Sequence, residues 1–325
     1  MYGYASMIER LIAKGLPLLL NTRGKQCLSI LIYHRVLESP DFMRPSEPDV
    51  KAFSWQMQLV ADHFNVLSLQ DAVQRMRSGT LPERALCITF DDGYADNATL
   101  AQPILERLGL PATVFVATQF LNGGRMWNDT VIEAVRSLAL AELDLSGFGL
   151  QAYGLQTNAL KRQSARAILG AIKHLAPQKR QLITDHIASL VTDLPADLML
   201  TNTQIQELHA RGIEIGGHTH SHPILAALSI EDAKREISLG KSTLESIIGA
   251  PIKTFAYPNG QPGSDFLPQH RDFLVELGFT VAVTTQAGVS AAASDPLMLA
   301  RFTPWDRQPI KFMTRLLLNE RKIVV

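Results

Sequence analysis

Residues 85–93 read ALCITFDDG, a short apolar run that ends in two aspartates and a glycine. A run of this length and composition predicts a buried strand, with Asp91 and Asp92 at its carboxyl end and Gly93 permitting a sharp turn. Burying one carboxylate is costly, and burying two without a counter-ion is costlier still. The alternative for this pair is a simple Asx-turn or helix cap, since Asp-Gly is a common turn sequence.

Similar apolar runs lie on both sides of this strand, and helical patterns separate them. The predicted strands are residues 27–33, 65–67, 85–90, 112–117, 213–215, 252–257 and 279–284. The predicted helices between them are residues 53–63, 68–78, 98–108, 203–211, 230–248 and 269–277. Such alternation favours parallel βαβ units. We therefore predict an α/β fold, a distorted or incomplete (β/α) barrel, in which functional residues gather where strands end.

The pattern changes between residues 123 and 200, where helical patterns at 126–140 and 160–191 flank a glycine-containing stretch at 146–156. We interpret this as a helical insertion, about residues 123–200, in a barrel domain of residues 27–325. Residues 1–26 are predicted to be a lead-in segment that is amphipathic over residues 4–20. Its apolar run, residues 11–20, is too short to span a bilayer, so no stable membrane span is expected.

Composition narrows the class of partner. The 31 basic residues balance the 31 acidic ones, so no net charge attracts nucleic acid, and we expect a neutral molecule as partner. P-loop and GxGxxG patterns are both missing, which disfavours phosphate chemistry of the glycine-rich kind. Cys27 and Cys87 lie within apolar runs and are predicted to be buried. A cytoplasmic location is expected, with membrane association of the lead-in as the alternative.

A histidine cluster, GGHTHSHP at residues 216–223, follows the predicted strand 213–215 and should lie on the same rim as Asp91. If the chain turns helically after His218, then His218 and His222 share one face and can bind one ion, while His220 points elsewhere. The alternative is a plain polar loop. Two imidazoles and a carboxylate suit Zn, Co, Ni, Mn or Fe.

The sequences TFDDG, residues 89–93, and HTHSHP, residues 218–223, resemble the first two motifs of the polysaccharide deacetylase family. This is carbohydrate esterase family 4, with the NodB homology domain, and the resemblance covers about residues 29–306 without most of the insertion. It implies a metal-dependent hydrolase that removes N-acetyl groups from an N-acetylated sugar in a polysaccharide or oligosaccharide. Asp91 would be the base, and Asp92, His218 and His222 would bind one divalent ion, with zinc as the first choice. Residues 31–36, LIYHRV, resemble a branch of the family that acts on exported or surface polysaccharides.

The sequence departs from the family pattern in two motifs. The third motif usually carries an arginine that steadies the base, whereas residues 256–260 read AYPNG. Arg301 is a candidate replacement, with a surface arginine as the alternative. The last motif supplies a histidine as general acid, yet no histidine follows His270. We predict that His34, at the end of the first strand, takes that role, the alternative being a core histidine.

Tyr257, Asn259 and Arg301 are predicted to be substrate-binding residues. The ring of Tyr257, with that of Trp305, would form a wall of a sugar groove, and an N–H near Asn259 would stabilise an oxyanion. Trp127, within the insertion, has no sequence feature that places it near the rim. Two other functions stay open: a catalytically impaired carbohydrate-binding protein, and a hydrolase of another non-peptide C–N bond.

Overall fold

The computed structural model describes Gly15 and residues 26–325. The predicted amphipathic segment, residues 4–20, therefore lies outside the described residues apart from Gly15. In the described part of the chain, no helix combines the length and the apolar character needed to cross a membrane. Cys27 and Cys87 are free thiols and both are buried, as predicted.

Twelve strands and ten α-helices are described in residues 26–325. The strands are β1 (Leu28–Tyr33), β2 (Asn65–Val66), β3 (Ala85–Phe90), β4 (Thr113–Val116), β5 (Glu142–Asp144), β6 (Ala152–Gly154), β7 (Glu214–Gly217), β8 (Thr254–Ala256), β9 (Val281–Ala287), β10 (Val289–Ser290), β11 (Leu299–Arg301) and β12 (Ile323–Val324). The helices are α1 (Val50–His63), α2 (Leu69–Ser78), α3 (Gln102–Leu108), α4 (Trp127–Ser137), α5 (Asn158–Ile172), α6 (Pro177–Ser189), α7 (Asn202–Ala210), α8 (Ile230–Ile248), α9 (Pro268–Glu276) and α10 (Pro309–Asn319).

Parallel strands form a nearly closed barrel in the spatial order β1, β3, β4, β7, β8, β9 and β11. Phe302, directly after β11, brings the last strand back to the first. Its N–H donates to Ile30 O at 2.8 Å, and its carbonyl accepts from the N–H of Ile32 at 3.0 Å. The predicted distorted (β/α) barrel is confirmed.

The prediction was wrong about one barrel strand. Residues 65–67 were expected to belong to the barrel series, but β2 pairs only with the amino-terminal end of β3. The missing member of the series is β11, which has only three residues and lies at the end of an apolar run, residues 297–300, that we did not predict as a strand. This strand matters for the site because its last residue is Arg301.

Most helix boundaries follow from capping and apolar periodicity. Helix α8 has the predicted bounds: the Ser229 side chain caps its first turn, and Gly249 ends it in the left-handed conformation. The predicted helix at 98–108 instead begins with a π-helical turn, Asn97–Ala101, before α3. The apolar faces of α3 and α8 pack on the barrel strands in one large hydrophobic cluster, while that of α2 packs in a second one.

The insertion has a hydrophobic cluster of its own, which includes Val131, Ile168, Ile183 and Ile187. It contains α4, α5 and α6 and a β5–β6 hairpin at the glycine-containing stretch. The region 160–191 was predicted as continuously helical, but it is two helices, and α6 starts at a proline in its first turn. The buried Arg44 guanidinium, from the loop after β1, binds Asp129 and Glu133 of α4 at 2.8 and 2.5 Å. This ion-pair network holds the insertion against the rim of the barrel.

Candidate metal centre and active site

The register of β1 and β3 brings the first two candidate residues together. Tyr33 and Phe90 are paired at the carboxyl ends of the two strands, and the Asp91 N–H donates to Tyr33 O at 2.9 Å. The next residues, His34 and Asp91, therefore leave the barrel side by side. Both line a cavity of about 480 Å³ at this rim, which Asp92, His218 and His222 also line.

Asp92 has left-handed backbone geometry, with φ of +76°, and Gly93 follows with φ of +84°. A Cβ atom on Gly93 would lie 2.9 Å from Cγ1 of Val116, so a side chain cannot fit there. The tight turn lets neighbouring carboxylates point to different partners: Asp91 towards β11 and Asp92 towards the loop after β7. The sequence DDG is thus more than a capping turn.

The histidine loop is close-packed but not helical, which corrects one sequence expectation. Thr219 and His222 both have positive φ, +65° and +55°, so the loop reverses direction within five residues. The ring centroids of His218 and His222 still lie 4.7 Å apart. His220 points away, with Nδ1 bonded to Thr118 Oγ1 at 2.9 Å. In addition, β4 lies between β3 and β7, so the two motifs share a rim without being on neighbouring strands.

Two residues of α8 hold this loop, and the sequence did not reveal either. The Glu236 carboxylate accepts hydrogen bonds from the N–H groups of His220 and Ser221, at 3.1 and 2.7 Å, and from the Ser221 hydroxyl at 2.7 Å. Gly240 lets the helix approach closely, since a Cβ there would lie 2.7 Å from the carbonyl carbon of Thr219. The only available signal was an acidic residue and a glycine in an amphipathic helix, which are ordinary features.

Asp92, His218 and His222 form a group that could hold a metal ion. Each histidine Nε2 lies 3.3 Å from Asp92 Oδ1, and one ligand atom from each residue falls within 4.8 Å of the others. The Nδ1 of His218 lies 2.7 Å from Ala256 O, a bond in which Nδ1–H donates. That tautomer turns the Nε2 lone pair towards the Asp92 carboxylate, an arrangement that needs a cation between the two acceptors. The donor set therefore fits a divalent metal.

The ionisation of the group agrees with this fit. Burial lowers the pKa of His222 to about 4, an effect that the nearby Asp92 only partly offsets, so its imidazole is neutral near pH 7 and available as a ligand. Burial alone raises the pKa of Asp92, but the adjacent His218, His222 and His34 bring it well below its ordinary value. Asp92 is therefore a carboxylate at neutral pH.

Arg301 lies in the barrel interior, 1% exposed, and binds both oxygens of Asp91. Its Nη1 and Nη2 donate to Oδ1 and Oδ2 at 2.7 Å each, and its Nε donates to Thr284 O at 2.7 Å. The prediction that Arg301 binds substrate, and the alternative of a surface arginine, both disagree with this burial. The arginine of the family's third motif would stand at position 256, at the end of β8. In this protein Arg301, at the end of β11, binds the Asp91 carboxylate instead.

These contacts set the charge on Asp91 and His34. Burial raises the pKa of Asp91, but Arg301, His218 and His34 more than compensate, so the carboxylate is ionised. For His34, burial lowers the pKa, whereas Asp92, Asp91 and Glu47 raise it to a net value above the ordinary one. The Asn97 side chain and the Arg35–Asp96 ion pair hold the His34 segment at the rim. The raised pKa favours the protonated form of His34, which is the form that can donate a proton.

The other predicted residues fall in different places. Tyr257 is completely buried, stacks on Phe266 and bonds Leu297 O at 3.2 Å, so it cannot form a wall of a sugar groove. Trp305 is exposed and packs against Arg315. Asn259, with φ of +58°, does line the site cavity. Trp127, for which the sequence suggested no role, lines a second cavity together with His222 and Asn259.

Backbone strain is concentrated at this rim. Of the six non-glycine residues with positive φ in the described chain, Asp92, Thr219, His222 and Asn259 belong to the site. Such conformations cost free energy and persist where the surrounding structure enforces them, which is common at functional sites.

A barrel with an Asp-His-His group beside an arginine-bound carboxylate has the features of a metal-assisted hydrolase. Residues 78–282 match the family model for polysaccharide deacetylases, and the chain belongs to this family. A Bacillus subtilis (strain 168) protein, "Putative polysaccharide deacetylase YxkH", is 33% identical over 91 residues, which cover 27% of this chain and 31% of that protein. The matched segment thus spans less than a third of the relative.

Solved structures support the fold assignment. The Streptococcus pyogenes deacetylase PplD, in complex with acetate, aligns with a TM-score of 0.59 and 20% identity over 90% of this chain and 97% of that one. IcaB from Ammonifex degensii aligns with a TM-score of 0.57 and 18% identity over 89% and 96%. At these identities the similarity establishes the shared barrel.

Proposed function

We propose that this protein is a metal-dependent hydrolase that removes N-acetyl groups from an N-acetylated sugar in a polysaccharide or oligosaccharide. The observation that carries the proposal is one open cavity that contains the Asp92–His218–His222 group, the Arg301-bound Asp91 and His34. Family membership supports a carbohydrate as the substrate.

Each side chain has a chemical role in amide hydrolysis. A divalent ion held by the three ligands, zinc or another of the metals that suit them, supplies Lewis-acid chemistry to the acetamide carbonyl and to water. Asp91 accepts a proton from the attacking water through lone pairs that Arg301 does not use. His34 donates a proton to the nitrogen as the C–N bond breaks. Acetate and a free amino sugar leave, and Asn259 contributes to the wall around the reacting group.

The buried Arg301–Asp91 pair favours an enzyme over a protein that only binds carbohydrate. Burying two charges has a desolvation cost that their attraction often does not recover, so such a pair is poor evidence of selection for stability. A protein that only binds carbohydrate has no need of a carboxylate beside the metal site whose two oxygens are both held by an arginine. The same geometry is directly useful to a base that must remain ionised and fixed.

The test is acetate release from N-acetylglucosamine oligomers after loading of the protein with Zn, Co, Ni, Mn or Fe. We expect release that depends on metal and that chelation abolishes. Binding of the oligomers without acetate release under any loading would favour the carbohydrate-binding alternative. Release of formate or ammonia from other C–N substrates, with N-acetyl sugars unchanged, would favour the other hydrolases.

His222→Ala is expected to lower metal affinity by at least about 100-fold. The loss of an outer-sphere partner of a ligand already costs about 10- to 100-fold, and His222 is proposed as a ligand itself. His220→Ala is the matched control, because this histidine belongs to the same loop but faces Thr118. Metal content after dialysis against a competing chelator measures the difference. Equal metal retention in the two variants would reject the site.

His34→Ala is expected to lower turnover of N-acetylated sugars by about two orders of magnitude or more, with metal content unchanged, because the departing amine loses its proton donor. Hydrolysis of 4-nitrophenyl acetate should change little, since its leaving group needs no proton. His209→Ala, at an exposed position on α7, controls for loss of a histidine. An equal loss of turnover on the amide and the ester substrates would show that His34 is not the general acid.

A further inference from the structure

The insertion and the barrel rim enclose a second cavity, of about 260 Å³, which we call the insertion cavity. Trp127 and Asn128 of α4, Lys173 after α5 and Arg180 of α6 line one side, and His222 and Asn259 line the other. This volume equals roughly nine water molecules at liquid density, which is room for one pyranose ring.

The insertion cavity adjoins the catalytic cavity. Asn128, His222 and Asn259 line both, so the candidate metal ligand His222 stands at the boundary between them. An oligosaccharide with its acetamide in the catalytic cavity therefore has its neighbouring sugar in reach of the insertion.

The charge in the insertion cavity is uniformly positive. Lys173 and Arg180 line it, and no Asp or Glu of the described chain does. Neither cation forms an ion pair with any carboxylate in residues 26–325, although many other arginines in that range do. Half-buried Arg180 has a pKa lowered by burial with no acidic group to offset it. Two partly buried cations without a counter-ion favour the binding of an anion between them.

The remaining polar and aromatic groups suit a sugar. The Arg180 guanidinium stacks on the Trp127 ring at 4.9 Å and donates to Lys173 O at 3.3 Å, so its position is fixed. Asn128 Oδ1 is buried without a hydrogen-bond partner among the described residues. Buried acceptors are normally satisfied, so we expect the Asn128 amide to rotate towards the cavity and accept a hydrogen bond from a sugar hydroxyl when the sugar binds.

We propose that the insertion cavity is a subsite for an acidic sugar next to the N-acetylated residue, with Lys173 and Arg180 binding its anionic substituent, a carboxylate or a phosphate. This inference rests on the proposed function, because the acidic sugar is placed relative to the N-acetylated sugar in the catalytic cavity. It narrows the substrate class to acidic, N-acetylated polysaccharides. Trp127 and Asn128 contact the same ring.

The experiment is calorimetric titration of the full chain, metal-loaded and carrying Asp91→Asn so that no ligand is hydrolysed. The probes are a tetrasaccharide of alternating N-acetylglucosamine and glucuronic acid, the same compound with its carboxyls reduced to alcohols, and a tetramer of N-acetylglucosamine. A fourth probe, the N-acetylglucosamine tetramer phosphorylated at oxygen-6, distinguishes a site for phosphate from a site for carboxylate. Arg180→Gln and Lys173→Gln are compared with Arg166→Gln and Lys179→Gln, which remove the same charges at exposed positions of the same insertion.

We expect an acidic probe to bind about tenfold more tightly than its neutral counterpart, as one charge-assisted hydrogen bond provides. Arg180→Gln and Lys173→Gln should each remove most of that preference, leave neutral probes within about twofold, and exceed the effect of the control variants. No preference for acidic probes, or equal losses in the controls, would overturn the subsite. If acetate release fails on every substrate while Arg180 still governs acidic binding, the deacetylase proposal falls and the acidic-sugar site stands.

Discussion

Asp91→Asn is expected to lower turnover by about two to four orders of magnitude while the protein keeps its metal, because the substitution removes the general base and no proposed ligand. The amide cannot accept a proton from water, and it cannot form the two charge-assisted bonds with Arg301. Acetate release and metal content are measured on the same preparation, after circular dichroism confirms that the variant is folded.

Asp92→Asn is the matched control, one residue away and nearly isosteric. It should lose metal, because a neutral amide replaces the anionic ligand that lies 3.3 Å from both His218 and His222. Added metal should restore part of its activity, whereas excess metal should not restore Asp91→Asn. Loss of the ion from Asp91→Asn with retention in Asp92→Asn would reverse the two roles, and full activity in both would reject the deacetylase proposal.

Arg301→Met is expected to destabilise the fold by about 3–5 kcal/mol, since it leaves the Asp91 carboxylate buried and unpaired in the barrel interior. Any folded fraction should also lose activity, because nothing then orients the base. Urea denaturation measures the free energy of unfolding. Arg271→Met is the control: its partner Asp295 is about one-third exposed, as is Arg271 itself, so this surface pair should contribute no more than about 1 kcal/mol.

Two further variants separate charge from geometry at this pair. Arg301→Lys keeps the charge but cannot bind both carboxylate oxygens in the planar manner of arginine, so we expect partial stability with low turnover. The double variant Asp91→Asn/Arg301→Met should be more stable than Arg301→Met alone, because no unpaired charge remains. If Arg301→Met were as stable and active as wild type, the proposed orientation of the base by Arg301 would be wrong.

The sequence by itself determined the barrel class and the two motifs that contain the candidate metal group, whereas the choice of Asp92 as a ligand and Asp91 as the base rested on the resemblance to polysaccharide deacetylases. Short apolar runs such as residues 85–90 favour buried strands, and strand–helix alternation favours parallel units. The position of DDG and of the histidine cluster after such strands then places both motifs at one rim. These inferences depend on local patterns of burial and turn formation, which are encoded over a few neighbouring residues.

Only the tertiary structure decided the partner of Asp91, the role of Tyr257 and the position of Trp127. Arg301 binds a carboxylate 210 residues away, through a strand of three residues whose sequence has no strong periodicity. Tyr257 was expected in a groove but is buried, because an aromatic ring near a strand end packs equally well inside the barrel. Trp127 reaches the rim because the Arg44 network docks the insertion there. Contacts between distant segments depend on how whole elements pack, and no local pattern specifies that packing.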